Sequence, residues 1–481
     1  MENSKLFSAL SYFDKYEQNR LRKYIHSPYF NKNEALIILF EEIIKFHNKN
    51  REGKNPKPID GELLWLKIYE EKSFDDVRFR KLRSDLLKLI EGFLAQQVYE
   101  GNPLHQAAYL IEAIGKGKMK NLYDSSIKSA RRLSLTQVHK PSDYYYFKYK
   151  IERNYFDLSQ QELRKGANDF IIEVGDNLDR FYLAEKLKYY CFILNNQKFF
   201  SHEYNHLFID EIISHIEKHK YEDVPPIAVY YQIYLTLIQS EVEEHYFKLK
   251  ELLAKYGKLF RSEDIQIIYE HSLNYCIRKI NKGNLNFYDE VFHIYVILLD
   301  SKLIFNEGEL APWHFKNILT ASIRMRKYDW SENFIKEYSD FLPDADKTNA
   351  VSFNLGRLYF YQKKYEDVIS LLQTIEYDDI IYNLGAKTML IRTYYEIEEI
   401  DALDSLLESF RIFLGRQKKL SAQRKQNYKD FIKFIRKLSR VIPGDKKSIK
   451  KIRAEFDKSE GIVSTDDWLK EKIEALEKGR K

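Results

Sequence analysis

The residues best suited to chemistry in this sequence are two histidines one helical turn apart, with a glutamate beside the first. His202, Glu203 and His206 match the pattern H-E-x-x-H, in which two imidazoles bind Zn²⁺ and the carboxylate activates a water molecule. In metal hydrolases this pattern lies well inside a helix, whereas here it straddles the predicted start of one, with Ser201 as the N-cap. We therefore favour a structural or solvent-exposed role, with a zinc-dependent hydrolase as a remote alternative.

Further potential metal ligands follow in the same region but lie on another face. Glu211, His215 and His219 recur at intervals of one helical turn, about 100° around the helix from the face of His202, His206 and Asp210. Ligands on different faces of one helix do not easily reach the same ion, so these residues do not complete a zinc site. No metal is predicted from them.

Patterns for other reactions are missing from the sequence. It contains no G-x-x-x-x-G-K-[ST] loop and no G-x-S-x-G elbow, and Gly115–Lys118 lacks the preceding strand that a phosphate-binding loop needs. Cys191 and Cys276 lie apart within apolar helical patterns, as buried thiols do in a reducing compartment. We predict neither an enzymatic activity nor a cofactor.

Charge is distributed unevenly along the chain. The net charge is +6, but residues 411–453 contain 16 Lys or Arg and two acids, a balance of +14, so the remaining residues carry −8. Five of these cations recur at i, i+4, i+8, i+11 and i+15 along one predicted helix and form a line on its surface. This basic stripe consists of Lys425, Lys429, Lys433, Arg436 and Arg440.

The basic stripe permits two interpretations. A line of cations on a rigid helix attracts polyanions, here nucleic acid or an acidic protein segment, because binding releases counterions. The same pattern suits a solvated helix face, or one whose cations pair with acids elsewhere in the chain. The sequence favours the second interpretation and leaves the first open.

A smaller basic face, formed by Arg78, Lys81 and Lys88, lies near the N terminus. The surrounding short helix, loop and long helix resemble the helical half of winged-helix DNA-binding domains, which implies DNA recognition. Asp85 and Glu91 dilute the charge of this face, and no strands for a wing are evident in the sequence. The same region is therefore also a candidate for a simple cap.

Helices must position all of these residues, because the composition leaves little room for sheet. Only 17 Gly and 10 Pro occur in 481 residues, which is too little turn chemistry for a sandwich or a barrel. The mean hydropathy is −0.53, and no apolar run approaches the roughly 20 residues that cross a bilayer. Residues 1–10 contain no apolar core of signal-peptide length, so we predict an all-α, cytoplasmic protein without a membrane partner.

A helix–turn–helix unit is indicated over Val351–Ile375. Leu355 and Gly356 allow two helices to approach closely, and Tyr359 fills the gap between them. The second helix opens at Tyr365, and its inner face consists of Val368, Leu372 and Ile375.

The same pattern recurs 35 residues away in both directions. The later copy consists of Leu390, Ile391, Tyr394, Ile400, Leu403, Leu407 and Phe410. The earlier copy has Ala321, Trp330 and Asn333 at the places of Gly356, Tyr365 and Val368. Three consecutive units of this length resemble tetratricopeptide repeats. The resemblance implies a right-handed α-solenoid of helix–turn–helix pairs, with a concave groove that holds a segment of another protein.

The chain is accordingly divided into four regions. Residues 1–100 are predicted to form an N-terminal helical module, and residues 101–313 an irregular helical-repeat solenoid. The repeats that resemble the tetratricopeptide type occupy residues 314–413, and residues 414–481 form basic C-terminal capping helices. Among the individual elements, we predict helices over Ser4–Ile25, Asp75–Gln97, Gln160–Val174, Asp179–Leu194, Tyr204–His219 and Ser421–Ile442. The predicted apolar face of the helix over Asp75–Gln97 consists of Phe79, Leu82, Leu86, Ile90 and Phe93. That of the helix over Ser421–Ile442 consists of Tyr428, Phe431, Ile432, Ile435, Leu438 and Ile442.

The resemblance implies a non-enzymatic scaffold for protein–protein interaction. Four side chains are predicted to line its groove: Asn354, Arg357 and Tyr361 in the middle unit and Lys387 in the next. The alternative is a nucleic-acid-associated regulator that uses the basic stripe and the winged-helix-like module. The identity of the partner does not follow from the sequence.

Overall fold

The computed structural model describes most of the chain. The described residues are 4–51, 60–70, 73–161, 169–196, 208–373, 380–418, 420–442, 444–458 and 466–479. Within these ranges the structure has 23 α-helices, two short 3-10 turns and one two-stranded β-ribbon. The all-α prediction is therefore confirmed. No helix in the described ranges is long and apolar enough to cross a membrane.

The helices belong to two compact units. The first unit comprises Met1–Tyr234 and Lys248–Arg261, and the second comprises Leu235–Phe247 and Ser262–Lys481. Helices α11 and α12, at Pro225–Ile238 and Glu244–Tyr256, have residues in both units.

The first unit contains ten further helices. They are α1 (Lys5–Ser11), α2 (Lys15–Ile25), α3 (Glu34–Arg51), α4 (Gly61–Tyr69), α5 (Asp76–Glu100), α6 (Pro103–Lys116), α7 (Lys120–Thr136), α8 (Ser142–Gln161), α9 (Asp169–Asn196) and α10 (Ile209–His219). Helices α1 to α5 share a core of their own, running from Leu6 to Phe93. The face of α5 that the sequence predicts to be apolar is buried in this core; it consists of Phe79, Leu82, Leu86, Ile90 and Phe93.

The second unit contains eleven further helices and the ribbon. They are α13 (Ser262–Asn281), α14 (Phe287–Asp300), α15 (Pro312–Arg324), α16 (Tyr328–Tyr338), α17 (Asp344–Tyr361), α18 (Tyr365–Gln373), α19 (Ile380–Glu396), α20 (Ile400–Arg416), α21 (Ala422–Arg440), α22 (Lys446–Asp457) and α23 (Asp466–Glu477). From α13 to α20 each helix contacts the next one along the chain, and in addition α15 contacts α17 and α17 contacts α19. The first helices of successive pairs therefore lie side by side.

The ribbon lies between α14 and α15. Strands β1 (Phe305–Asn306) and β2 (Glu309–Leu310) pair in antiparallel fashion. Glu307 and Gly308 connect them with φ values of 51° and 87°, because a two-residue hairpin that follows the twist of its strands needs left-handed backbone at both positions.

Two glycines allow the helices of the second unit to approach closely. A Cβ atom at Gly356 in α17 would lie 3.0 Å from the Leu372 side chain in α18. A Cβ atom at Gly385 in α19 would lie 2.6 Å from the ring of Phe353 in α17. Real Cβ contacts are longer than this, so the missing side chains set the distances between these helices.

Several predicted helix boundaries are wrong. The predicted helix over Ser4–Ile25 is interrupted, because Asp14 and Glu17 form a capping box that starts α2: the Asp14 carboxylate accepts from the Glu17 N–H at 2.7 Å, and the Asp14 N–H donates to the Glu17 carboxylate at 3.0 Å. The two helices predicted to end at Val174 and begin at Asp179 are joined in α9.

The C-terminal region also differs from the prediction. Helix α21 ends at Arg440, and Ile442, which was predicted to extend its apolar face, is 74% exposed. Helix α22 was not predicted, although the Asp445 carboxylate caps it by accepting from the Lys447 and Ser448 N–H groups. Five of its 12 residues are Lys or Arg, and only Ile449 and Ile452 are buried.

Substitution of Gly385 by alanine tests the close approach of α17 and α19. We expect Gly385→Ala to lower the free energy of unfolding by about 1–3 kcal/mol, because the new methyl group overlaps the buried Phe353 ring. The matched control is Gly415→Ala in α20, where nothing lies within 4 Å of the added Cβ; it should raise stability by about 0.5–1 kcal/mol. Urea denaturation of both variants makes the comparison, and a stabilising Gly385→Ala would contradict the packing.

Two buried histidines in the second unit each have a ring nitrogen without a hydrogen-bond partner in the described ranges. His271 in α13 and His314 in α15 are 7% and 6% exposed. The Nδ1 atom of each is buried and has no hydrogen-bond partner within the described ranges. Burial lowers the pKa of both imidazoles from 6.5 to about 4, and the charge of Arg278 adds to this effect at His271.

These pKa shifts predict that acid destabilises the protein below pH 6.5. Between pH 6.5 and 4 the unfolded chain binds protons at both histidines and the native state does not, so the free energy of unfolding falls as the pH falls. At pH 5 we expect a loss of about 2 kcal/mol per histidine. Urea denaturation at pH 7, 6 and 5 should show a shallower pH dependence for His271→Gln/His314→Gln than for the unsubstituted protein; equal slopes would show that these side chains do not cause the effect.

Candidate anion-binding face

Three successive first helices, α15, α17 and α19, place arginines on one surface of the second unit. Arg324, Arg357 and Arg392 come from one helix each, at spacings of 33 and 35 residues. Lys316 lies two turns before Arg324 on α15, and Tyr361 lies one turn after Arg357 on α17. All five side chains are partly exposed. We call this surface the arginine face.

Aromatic rings and one hydroxyl hold the guanidinium groups in place. The Arg392 guanidinium lies 4.2 Å from the centre of the Phe360 ring and 5.1 Å from that of Trp468. Arg357 donates a hydrogen bond of 2.9 Å to the Thr320 hydroxyl. Stacking on aromatic faces fixes the plane of a guanidinium and leaves its edge available for hydrogen bonds.

Arg324 completes the group from the third helix. Its guanidinium lies 5.8 Å from the centre of the Tyr361 ring and 5.9 Å from that of Tyr288 in α14. Tyr361 therefore lies at the centre of the arginine face.

The positive charges on the arginine face repel one another. Burial lowers the pKa of the Arg357 guanidinium, and the charges of Arg324 and Arg392 lower it further. Burial also lowers the pKa of Arg392; the Tyr361 phenol opposes this shift, and the charge of Arg324 adds to it. Arginine nonetheless stays protonated at neutral pH. Burial is the main cause of the lowered pKa values, and repulsion between the arginines adds to it. A bound anion would reduce the free-energy cost of this repulsion.

Tyr361 responds to the same charges. Burial by itself raises the pKa of its phenol, but the charges of Arg392, Arg324 and Arg357 outweigh burial and bring the pKa below the ordinary value of 10.0. Lys316 behaves like the arginines: burial lowers the pKa of its ammonium group, and the charges of Arg357 and Arg424 add to this effect.

The protein supplies little negative charge of its own to this face. Within the described ranges, no carboxylate lies within 4.0 Å of the guanidinium nitrogens of Arg357 or Arg392. Glu396 lies one turn beyond Arg392, but one of its oxygens accepts from the Trp468 indole at 2.6 Å and the other from Lys472 at 2.7 Å. The Nε atom of Arg392 is buried, and no hydrogen-bond partner for it lies in the described part of the chain.

The four predicted groove residues have different positions. Arg357 and Tyr361 lie on the arginine face. Asn354 does not: its side chain is 0% exposed and donates a hydrogen bond of 2.8 Å to the Ala350 carbonyl oxygen, so its predicted place on an open surface is wrong. Lys387 is partly exposed on α19, with its ammonium group 5.4 Å from the centre of the Phe413 ring, and burial lowers its pKa.

Sequence reasoning missed Arg324 and Arg392. The available signal was an arginine near the end of each of three consecutive first helices. The prediction that centred on the middle repeat did not compare these positions across repeats, and spacings of 33 and 35 residues hide the correspondence.

Three of the five cations in the basic stripe on α21 form ion pairs with acids of the protein itself. Arg436 pairs with Glu408 of α20 at 2.9 Å, and Arg440 pairs with Asp404 at 3.6 Å. Lys433 pairs with Glu455 of α22 at 3.4 Å. Hydrogen bonds from Arg411 and Arg436 lower the pKa of Glu408 to about 2. Lys425 and Lys429 form no such pair within the described ranges.

The basic face of α5 is also partly engaged. Arg78 lies 5.8 Å from the centre of the Tyr69 ring, and Lys88 pairs with Asp85 at 3.8 Å. Lys81 is exposed. In the described residues between 1 and 100 all regular secondary structure is helical, so the strands of a wing are not seen there.

The predicted zinc motif, His202-Glu203-x-x-His206, lies outside the described residues. Helix α10 begins at Ile209, after Phe208 with a φ of 66°, so the single helix predicted from Tyr204 to His219 is wrong at its start. Among the residues that the structure describes, no group of His, Cys, Asp and Glu side chains could hold a metal ion.

Comparison of the chain with protein-family models, with curated proteins and with solved structures finds no match. The arginine face is therefore interpreted from its own chemistry.

Removal of one arginine should raise the pKa of Tyr361. In Arg392→Gln one of the charges that stabilises the phenolate is lost, so the Tyr361 pKa should move upward toward its ordinary value. The measurement is a pH titration by NMR of protein labelled with ¹³C-tyrosine, with Tyr361→Phe to assign the signal. Lys429→Gln on α21 is the matched control and should leave this pKa unchanged; an unchanged pKa in Arg392→Gln would contradict the geometry.

Proposed function

We propose that this protein is a non-enzymatic interaction protein that binds a segment of another protein on the arginine face. The observation that carries the proposal is the convergence of Arg324, Arg357 and Arg392 from three helices onto a partly exposed surface. An anionic segment that binds there would relieve repulsion already present in the protein, so binding would gain free energy from both partners.

The types of side chain on this surface support recognition over catalysis. Its arginines hold their protons at neutral pH, so they serve as hydrogen-bond donors and not as general acids or bases. The nearby acid, Glu396, is engaged by Trp468 and Lys472. Fixed donors stacked on aromatic rings are typical of anion recognition sites.

The packing of the second unit supports a repeat architecture for this interaction protein. Contacts between consecutive helices, together with those of α15 with α17 and α17 with α19, are what a solenoid of the tetratricopeptide type requires. In such a solenoid the first helices line the concave surface, which would place the arginine face in the groove. We include a cytoplasmic location in the proposal, because Cys191 and Cys276 are buried and not joined in a disulfide, which suits a reducing compartment.

The basic stripe has weaker support as a binding surface for nucleic acid. Lys433, Arg436 and Arg440 already pair with acids of α20 and α22, so a polyanion would have to replace existing interactions. On the arginine face, Arg357 and Arg392 have no such acid partner within the described ranges.

Photocrosslinking in the native cell tests the proposal. With p-benzoyl-phenylalanine in place of Lys316, on the arginine face, we expect a covalent adduct with one protein, identified by mass spectrometry. Adding Arg357→Gln and Arg392→Gln should reduce the adduct at least tenfold, because each lost charge-assisted hydrogen bond weakens binding by about 1.5–3 kcal/mol.

The matched control carries the crosslinker in place of Lys429, which is exposed on α21, and should not capture the same protein. An adduct that contains nucleic acid, or a protein adduct that is insensitive to both arginine substitutions, would contradict the proposed function.

A further inference from the structure

We infer that the group recognised on the arginine face is a phosphate dianion, presented by a phosphorylated side chain of the bound segment. This inference rests on the proposed function and specifies the chemistry of its ligand. It follows from the number of converging cations, from how they are held, and from the charge around them.

The first step concerns the number of donors and acceptors. The guanidinium groups of Arg357 and Arg392 lie beside Tyr361 on neighbouring helices, and each has five N–H donors in a planar fork. A carboxylate has two oxygens to receive them, whereas a phosphate ester has three terminal oxygens. Two such forks, with the charges of Arg324 and Lys316 beside them, therefore match a phosphate more fully than a carboxylate.

The second step concerns unused donors. Arg357 makes one hydrogen bond in the described structure, to the Thr320 hydroxyl. The buried Nε atom of Arg392 makes none there. Since Arg392 lies between the rings of Phe360 and Trp468, its donors are already oriented, and ligand binding would immobilise little further.

The third step concerns charge. Lys316 and three arginines contribute positive charge to the face. The nearby Glu396 carboxylate acts on Arg392 through its charge, but it also pairs with Lys472 at 2.7 Å. In this partly buried setting, an anion of charge −2 gains about twice the attraction of a carboxylate of charge −1. The excess of cations therefore favours a phosphate dianion.

The fourth step distinguishes a single phosphate from a nucleic acid. Nucleic acid carries regularly repeated phosphates and is bound along a continuous track of free cations. The arginine face is compact, and the cationic side chains Lys433, Arg436 and Arg440 on α21 pair with the protein's own acids. One phosphate on a protein segment fits this arrangement better than a chain of phosphates.

Isothermal titration calorimetry of the full-length protein with matched peptides tests the inference. The probes are a neutral heptapeptide with phosphoserine at its centre, the same peptide with glutamate or serine there, and inorganic phosphate. At pH 7.5 the phosphoserine peptide should bind at least tenfold more tightly than the glutamate peptide and than inorganic phosphate. Because the second pKa of a phosphorylated side chain is about 6, its affinity should fall between pH 7.5 and 5.5.

Substitutions locate the site. Arg357→Gln and Arg392→Gln should each weaken binding of the phosphoserine peptide at least tenfold, and Lys429→Gln should change it by less than twofold. Arg357→Lys keeps the charge but removes the fork, so its affinity should lie between those of the unsubstituted protein and Arg357→Gln. This conservative variant, with circular dichroism as a folding check, keeps the test valid if a glutamine variant misfolds.

The possible results separate the inference from the proposed function. Equal binding of the phosphoserine and glutamate peptides, or no binding of either, overturns the phosphate inference, while photocrosslinking of a protein partner would still support the proposed function. Tight binding of inorganic phosphate without preference for the peptide overturns the inference that the phosphate is carried by a protein segment. Arginine-dependent peptide binding without any protein adduct in the cell would support the phosphate site and count against the proposed function.

Discussion

The structure depends on each helix packing its apolar side against the next helix, because the described part of the chain has only a ribbon of two short strands besides helices. In the second unit the helices pack very closely at two places. The Leu372 side chain of α18 packs against Gly356, and the Phe353 ring packs against Gly385. The absent side chains bring α17 against both α18 and α19, so residues on the remaining side of α17 lie beside those of its neighbours.

The electrostatics of the arginine face follow from that packing. Arg324, Arg357 and Arg392 are far apart in sequence, and each alone would be an ordinary surface arginine. Where they lie side by side on adjacent helices, the charge of Arg324 lowers the pKa values of Arg357 and Arg392, and all three act together on the Tyr361 phenol. On the basic stripe, in contrast, acids of the protein itself pair with three of the cations, as at Arg436 and Glu408. The difference between these two surfaces, more than the net charge, indicates where an anion would bind.

The basic stripe shows why a charge pattern along one helix is a poor guide to a partner. Periodicity correctly placed its five cations along α21, which begins after the Ser421 N-cap as expected. It could not show that Glu408 of α20 and Glu455 of α22 lie opposite. The second of these acids belongs to a helix that the sequence did not predict, since α22 buries only Ile449 and Ile452.

By itself, the sequence determined the helical class, most helix positions and the apolar faces of α5 and α21, because these depend on turn residues and on periodicity within a single element. It also selected Arg357 and Tyr361. Only the tertiary structure decided that Asn354 is buried, that Arg324 and Arg392 join Arg357, and that part of the basic stripe is neutralised. The physical reason is that burial and charge pairing depend on which helices become neighbours, and that is set by side chains distant in sequence, such as Phe353 against Gly385.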